Sequence, residues 1–269
     1  MEDLLAQLVE MVQASPKYRH VCTEIVREIG ARELARRRNL KEAVKATKNK
    51  LHQVAGAYME GRMPYASWLG ELREATRSPD AEAVRDVCRR IMYYHASTRE
   101  RLPILDRFYS ITLSDLAPVR SVLDVGCGLN PLAIPWMPLA EGATYIAWDI
   151  YHDMVEFLNA FLGMMPIQGH ALACDVLQAH LDRRVNVALM LKMIPCLEQI
   201  EKSAGLQLLE TIDADHILVS FPIHSLGGRD KGMLAHYMKQ FQSLVTGRDW
   251  RVQQFIFPTE LAFLISKRR

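Results

Sequence analysis

Three short apolar runs in this chain each end in a carboxylate or a glycine turn, and together they outline a nucleoside site. Val122, Leu123 and Val125 form a strand-like run in Ser121-Val-Leu-Asp-Val-Gly-Cys-Gly-Leu-Asn-Pro131, which Gly126 and Gly128 break into a tight turn. Glycine at such a turn lets the backbone approach a ligand closely, because no Cβ intervenes and a positive φ costs little. The run from Thr144 to Trp148 ends in Asp149, and the run from Ala171 to Cys174 ends in Asp175. An acid at the end of the second strand is placed to accept from the two hydroxyls of a ribose. An acid after the third can accept from the exocyclic amine of adenine, or cap the segment that follows. Gly-x-Gly alone also occurs in turns for purely steric reasons. Three strand ends on one sheet edge make an adenosine-shaped cleft.

The turn's departures from other fingerprints select among adenosine cofactors. Pro131 occupies the third glycine position of the dinucleotide fingerprint, and no Gly-Lys-Ser/Thr phosphate loop occurs in the chain. A cofactor without phosphates fits better. Asp-Val-Gly-Cys-Gly followed by a strand-end acid resembles the usual form of S-adenosylmethionine-dependent methyltransferases.

The elements that must carry these residues follow from periodicity. After Asp175, the chain reads as a fourth strand (185–191), a helix (197–212), a fifth strand (216–221) and a closing hairpin (252–257 and 261–265) around Pro258-Thr-Glu260. The first turn reads as strand, glycine turn, helix. The N-terminal part reads differently: Leu4, Leu5, Leu8, Val9 and Val12 give a helical stripe, and Val21, Ile25 and Ile29 another that ends at Gly30. Further helices are expected at about 41–58, 65–75 and 80–94. The expected fold is α/β, a Rossmann-like class I methyltransferase domain (95–269) preceded by an all-α, basic domain (1–94).

With 269 residues, 49% hydrophobic and 24% charged, the chain has the composition of a globular protein with a substantial core. Cys22, Cys88, Cys127, Cys174 and Cys196 lack Cys-x-x-Cys spacing, which argues against a zinc site or a disulfide framework and suits buried thiols in a cytoplasmic protein. No apolar stretch is long enough to span a membrane, and no metal is expected. The net charge of +2 hides an asymmetry. Lys17, Arg19, Arg27, Arg32, Arg36, Arg37, Arg38, Lys41, Lys45, Lys48 and Lys50 face only Glu24, Glu28, Glu33 and Glu42 over the same span. Such a cluster is either a solvated helix face or a footprint for a nucleic-acid backbone.

Two further stretches stand out. His95-Ala-Ser-Thr-Arg-Glu-Arg-Leu102 reads as a helix capped by Ser97 or Thr98. Spacing favours a structural role, with Arg99 toward water and Leu102, Leu105 and Phe108 packed inward; the alternative puts Arg101 at the cleft mouth, where its fork matches a carboxylate. Ser220-Phe-Pro-Ile-His-Ser-Leu-Gly-Gly-Arg-Asp-Lys-Gly-Met233 is a loop over the same sheet edge, with Arg229 and Lys231 among its glycines.

These two stretches and Gly-Cys-Gly-Leu-Asn-Pro-Leu-Ala at 126–133 resemble the aminoglycoside-resistance 16S rRNA (guanine(1405)-N(7))-methyltransferases over nearly the whole chain. The resemblance implies methyl transfer from S-adenosylmethionine to one guanine in the decoding-site helix of 16S rRNA within the 30S subunit. It also implies RNA, rather than DNA, against the basic face: Lys17, Arg19, Arg36, Arg37, Arg38, Lys48, Lys50, Arg99, Arg229 and Lys231. Cofactor contacts would fall on His95, Ala96, Ser97 and Arg101, the last on the methionine carboxylate. Gly126 and Gly128 would lie beneath the cofactor, Asp149 at the ribose, Asp175 and Val176 at the adenine, with Leu191, Lys192 and Tyr58 also in contact. Guanine N7 carries a lone pair and no proton, so this transfer needs alignment and no general base. Methylation of another rRNA nucleotide or a small molecule, and a non-catalytic RNA-binding role, are the alternatives.

Overall fold

Leu8, Val9 and Val12 are the buried face of α1 (Glu2–Gln13), and Ile25, Val26 and Ile29 that of α2 (Thr23–Arg36). The computed structural model describes residues 2–59, 61, 63–223 and 232–267. Gly30, expected to end the second helix, lies inside it. A Cβ at Gly30 would come within 2.5 Å of Leu8 Cδ2, so the residue permits close approach of α1 and α2. Asn39 caps α3 (Leu40–Leu51) by accepting from the Glu42 N–H at 3.0 Å, and α3 passes into one π turn over His52–Gly56. Next come α4 (Tyr65–Ala75) and α5 (Ala81–Met92), the latter capped by Asp80.

Two short helices, α6 (Ala96–Arg101) and α7 (Leu105–Thr112), lead to the first strand, β1 (Val119–Val125). His95, not Ser97 or Thr98, is the N-cap of α6; the Thr98 hydroxyl instead donates to the Met92 carbonyl at 2.6 Å. After the glycine turn the chain forms a 3-10 stretch (Asn130–Trp136) rather than the expected α-helix, because Pro131 and Pro135 cannot donate to a helical ladder. Then follow β2 (Leu139–Asp149), α8 (His152–Leu162), β3 (Gln168–Ala173) and β4 (Val185–Leu191). The single helix expected at 197–212 is two, α9 (Ile194–Ile200) and α10 (Ala204–Thr211), separated where Glu201 turns extended at φ −150°. β5 (Ala214–Pro222), α11 (Met233–Val245), β6 (Trp250–Ile256) and β7 (Glu260–Lys267) complete the chain.

The strands form one sheet in the order β3-β2-β1-β4-β5-β7-β6, parallel except for β7, which is antiparallel to β5 and β6. This is the α/β class I arrangement. The chain leaves β1 toward β2 on one side and returns to β4 on the other, so a crevice opens at the carboxyl ends of β1 and β4. The helical N-terminal part packs on the sheet domain through one continuous apolar core that includes Leu8, Ile29, Leu51, Phe108, Phe157 and Leu264. Among the described residues no helix is long and apolar enough to cross a membrane.

Candidate cofactor site

The end of β1 turns back through Gly126 at φ +61° and Gly128 at φ +51°, conformations in which a side chain is strained. A Cβ on Gly126 would meet the Met193 thioether, and one on Gly128 would come within 2.7 Å of the His95 ring. Asp149, the last residue of β2, ties this turn down. Its Oδ2 accepts from the Gly128 N–H at 2.8 Å and its Oδ1 from the Ile150 N–H at 2.7 Å. Burial raises the Asp149 pKa against the lowering by those backbone donors.

A cavity lies over this edge of the sheet. Its walls hold Tyr58, His95, Ser97, Gly126, Asp149, Asp175, Val176, Leu191 and Lys192 from the sequence-derived set. Ala96, Gly128 and Arg101 do not line it. Ala96 is a backbone tie, its N–H donating to the Tyr58 carbonyl at 2.7 Å. Gly128 sits beneath the His95 ring.

Arg101 corrects the expectation of a fork at the cleft mouth. It is fully buried, with Nη2 and Nε on the Glu260 carboxylate at 2.7 and 3.1 Å and Nη1 on Asn130 Oδ1 at 2.8 Å. Its guanidinium also lies 4.9 Å from the centre of the Phe108 ring. A buried cation needs such a partner, and Glu260 on β7 supplies it. Arg101 thus bolts α6 to the last hairpin and to the turn after β1.

Among the described residues, the cation that lines the cavity is Lys192, at φ +59° just past β4. Its Nζ donates to Glu100 Oε2 at 2.7 Å and to the Ser97 carbonyl at 3.0 Å, and lies 3.4 Å from Glu260 Oε2. Burial alone would raise the Glu260 pKa; Arg101 and Lys192 together overcome it and hold the carboxylate below its ordinary range.

Among the described residues, three buried polar atoms in the cavity wall have no hydrogen-bond partner: His95 Nδ1, Tyr151 Oη and Asp175 Oδ2. Unsatisfied buried polar atoms are costly and concentrate where a ligand completes them. Asp175 is 2% exposed; its Oδ1 accepts from the Leu177 N–H at 3.0 Å, which leaves Oδ2 for an incoming donor. Burial, with Lys192, Arg101 and Arg99 nearby, lowers the His95 pKa to about 4, so its imidazole is neutral at physiological pH. Its ring stacks on Tyr58 with centres 6.0 Å apart, and the Tyr58 hydroxyl lies 3.1 Å from Cys196 Sγ. The glycine turn, the strand-end acid and the unpaired Asp175 oxygen fit an adenosine; Lys192 fits a carboxylate beside it.

Sequence reasoning missed Ile25, Val54 and Ala55 from the helical part, and Tyr151, Met193 and Cys196 from the sheet part. Tyr151, two residues past the strand-end acid, had a positional signal. Glu260 had none, because an acid in a hairpin turn reads as solvent-facing.

The basic residues divide. Arg36 and Lys45 border an open polar groove between α2 and α3, and Arg38 is exposed beyond it. Arg37 pairs with buried Glu33 at 2.9 Å. Lys48 donates to Ser15 Oγ at 2.7 Å, Lys17 Nζ lies 2.9 Å from His52 Nδ1, and Arg19 is exposed. Lys50, expected at RNA, donates to the Gln199 carbonyl at 2.8 Å, and Arg32 pairs with Glu201 at 2.9 Å. Those two clamp the helical part to α9. Arg99 lies over the Tyr93 ring at 5.4 Å. Arg229 and Lys231 lie outside the described residues.

Comparison with known proteins agrees with this geometry. The family described as ribosomal RNA methyltransferase (FmrO) matches residues 14–264. The 16S rRNA (guanine(1405)-N(7))-methyltransferase of Micromonospora echinospora is 37% identical over 268 residues, covering 99% of this chain and 98% of that one. The crystal structure of 16S rRNA methyltransferase RmtF in complex with S-adenosyl-L-homocysteine superposes with a TM-score of 0.82 at 30% identity, covering 100% of both chains. That of the 16S rRNA methylase RmtB gives a TM-score of 0.78 at 28% identity over 98% of both.

Proposed function

The chain belongs to the ribosomal RNA methyltransferase (FmrO) family, and from that membership we propose how its own residues carry the family's reaction. The protein is an S-adenosylmethionine-dependent methyltransferase that modifies N7 of guanine 1405 in 16S rRNA, a change that gives resistance to aminoglycosides. The cofactor supplies an electrophilic methyl group on a sulfonium. Asp149 holds the ribose, Asp175 Oδ2 and the neighbouring Val176 receive the adenine, Ser97 borders the cofactor, and Lys192 pairs with the amino-acid carboxylate. Met193 covers Gly126, and its flexible thioether side chain swings aside for the ligand.

Tyr58 and His95 present uncharged rings, which add no positive charge beside a sulfonium. Guanine N7 attacks with its lone pair, the new N–C bond forms as the C–S bond breaks, and the C–S electron pair stays on sulfur. No proton moves, so the residues align and enclose rather than act as a base.

The observation that carries this reading is Asp175 Oδ2, a buried acceptor without a partner among the described residues, in the same wall as the glycine turn and Asp149. The substrate is assembled 30S in the cytoplasm, with Arg36, Arg38 and Lys45 on the phosphate backbone. The test is transfer of labelled methyl to isolated 30S subunits lacking the modification, to naked 16S rRNA and to free nucleosides, followed by mapping. Label at N7 of guanine 1405, with 30S only, is the expected result; label elsewhere would replace the substrate, and none at all would replace the function.

A further inference from the structure

The main chain at Lys192 is fixed: its N–H donates to the Ser220 carbonyl at 3.0 Å and to Ser220 Oγ at 3.1 Å. The ammonium at the end of its side chain has three N–H donors. Three acceptors surround it: the Ser97 carbonyl, the Glu100 carboxylate and the Glu260 carboxylate. A cofactor carboxylate therefore gains Lys192 only by taking the place of one of them.

The three are not equally free to leave. The Ser97 carbonyl is main chain of α6, whose start is tied down by the Ala96 N–H on the Tyr58 carbonyl and the Thr98 hydroxyl on the Met92 carbonyl. Glu260 is fully buried and holds Arg101 through Nε and Nη2, so its withdrawal would strand a buried guanidinium. Glu100 differs. Its side chain is 24% exposed, and among the described residues Lys192 is its one hydrogen-bond and ion-pair partner. Turned outward, its carboxylate is hydrated, and the loss is one partly exposed ion pair. Glu100 does not itself line the cavity, so it acts on a ligand through Lys192.

We propose that Glu100 is a positioning residue that competes with the cofactor's carboxylate for Lys192: the carboxylate displaces it on binding, and its return helps S-adenosylhomocysteine leave. This rests on the pairing of Lys192 with that carboxylate under the proposed function, and adds the group that sets how tightly the pairing holds. Affinity falls in proportion to the fraction of molecules in which Lys192 is free of Glu100. The product differs from the cofactor by one methyl group and one charge, and a contact to the carboxylate they share does not tell them apart. A tight grip there would hold the product as firmly as the cofactor. The internal carboxylate loosens the grip on both.

The test measures, by calorimetry, binding of S-adenosylhomocysteine and of 5′-methylthioadenosine, which lacks the amino-acid end, to the parent, E100Q, E100A and K192A. E100Q and E100A are expected to bind S-adenosylhomocysteine about tenfold tighter than the parent, and 5′-methylthioadenosine within about twofold of it. In methyl transfer to 30S both should show a lower KM for S-adenosylmethionine and stronger inhibition by S-adenosylhomocysteine, with kcat no higher than the parent's. E100Q keeps the size of the side chain, so it decides the matter where E100A disturbs α6. Parental or weaker binding of S-adenosylhomocysteine by E100Q would overturn the proposal and make Glu100 a brace for Lys192. Equal tightening of both ligands would also overturn it, because the effect would then lie in the shape of the wall. Failure of the underlying reading is separate: K192A is expected to weaken S-adenosylhomocysteine at least about tenfold and to spare 5′-methylthioadenosine, and would instead treat the two alike.

Discussion

At Gly126 the backbone is in the left-handed region and the space a Cβ would need is taken by Met193. Gly126→Ala therefore adds about 1–2 kcal/mol of backbone strain and forces Met193 to shift within the cavity wall. The expected outcome is a folded protein by circular dichroism with at least tenfold weaker S-adenosylmethionine binding by calorimetry. His95 makes a different prediction, about pH. Burial and the cations nearby lower its pKa from 6.5 to about 4, so between those values the unfolded chain binds a proton that the folded chain refuses. Stability that is present above pH 6.5 is therefore lost as pH falls toward 4. Asp124 acts in the opposite sense: burial raises it from 3.8 to about 6, so the folded state holds the extra proton in that interval and gains from acidification. His95→Phe keeps a ring against Tyr58 and removes the first effect. Urea unfolding at stepped pH should show the variant losing less stability than the parent between pH 6.5 and 4.

Among the elements, α2 and α3 carry the basic face, but the charges on them do different work. Arg32, Arg36, Lys45 and Lys50 all line the groove, but Lys50 and Arg32 also reach across to Gln199 and Glu201 at the end of α9. Arg36→Ala with Lys45→Ala is expected to weaken 30S binding and lower the dependence of log affinity on log salt by about 2, one for each phosphate left unneutralised. Lys50→Ala should leave that slope unchanged and instead increase amide exchange in α3 and α9. The two roles look alike in a sequence, because a lysine at helical spacing does not say which neighbour it meets. The same limit explains Arg101: its fork was legible, but its partner Glu260 stands on a strand 159 positions later. What was legible was local. Gly126, Gly128, Asp149 and Asp175 owe their places to the strand ends they occupy, and apolar runs located all seven strands except for their boundaries. Gly30 and the 3-10 stretch at 130–136 were misread where helix packing and two prolines outweighed the pattern.

At the scale of the molecule, the division at residue 94 separates two sequence patterns without separating two cores. The cofactor cavity takes Ile25, Val54, Ala55 and Tyr58 from the helical part, and the rest of its wall from the sheet part. The backbone crosses the same boundary: the Cys22 N–H donates to the Ile150 carbonyl at 2.7 Å, and the His152 N–H to the His20 carbonyl at 2.7 Å. These bonds pin the residues that follow Asp149, so the Asp149 end of the cleft depends on the helices before it. We expect residues 95–269 expressed alone to expose the apolar surface that Leu8, Ile29 and Leu51 cover, and to bind S-adenosylmethionine too weakly for calorimetry to detect. Adding residues 1–94 in trans should restore binding if the helices act by completing the wall. A fragment that binds the cofactor as the whole chain does would make the helical part an appendage for RNA alone, and the tie through Ile150 and His152 dispensable.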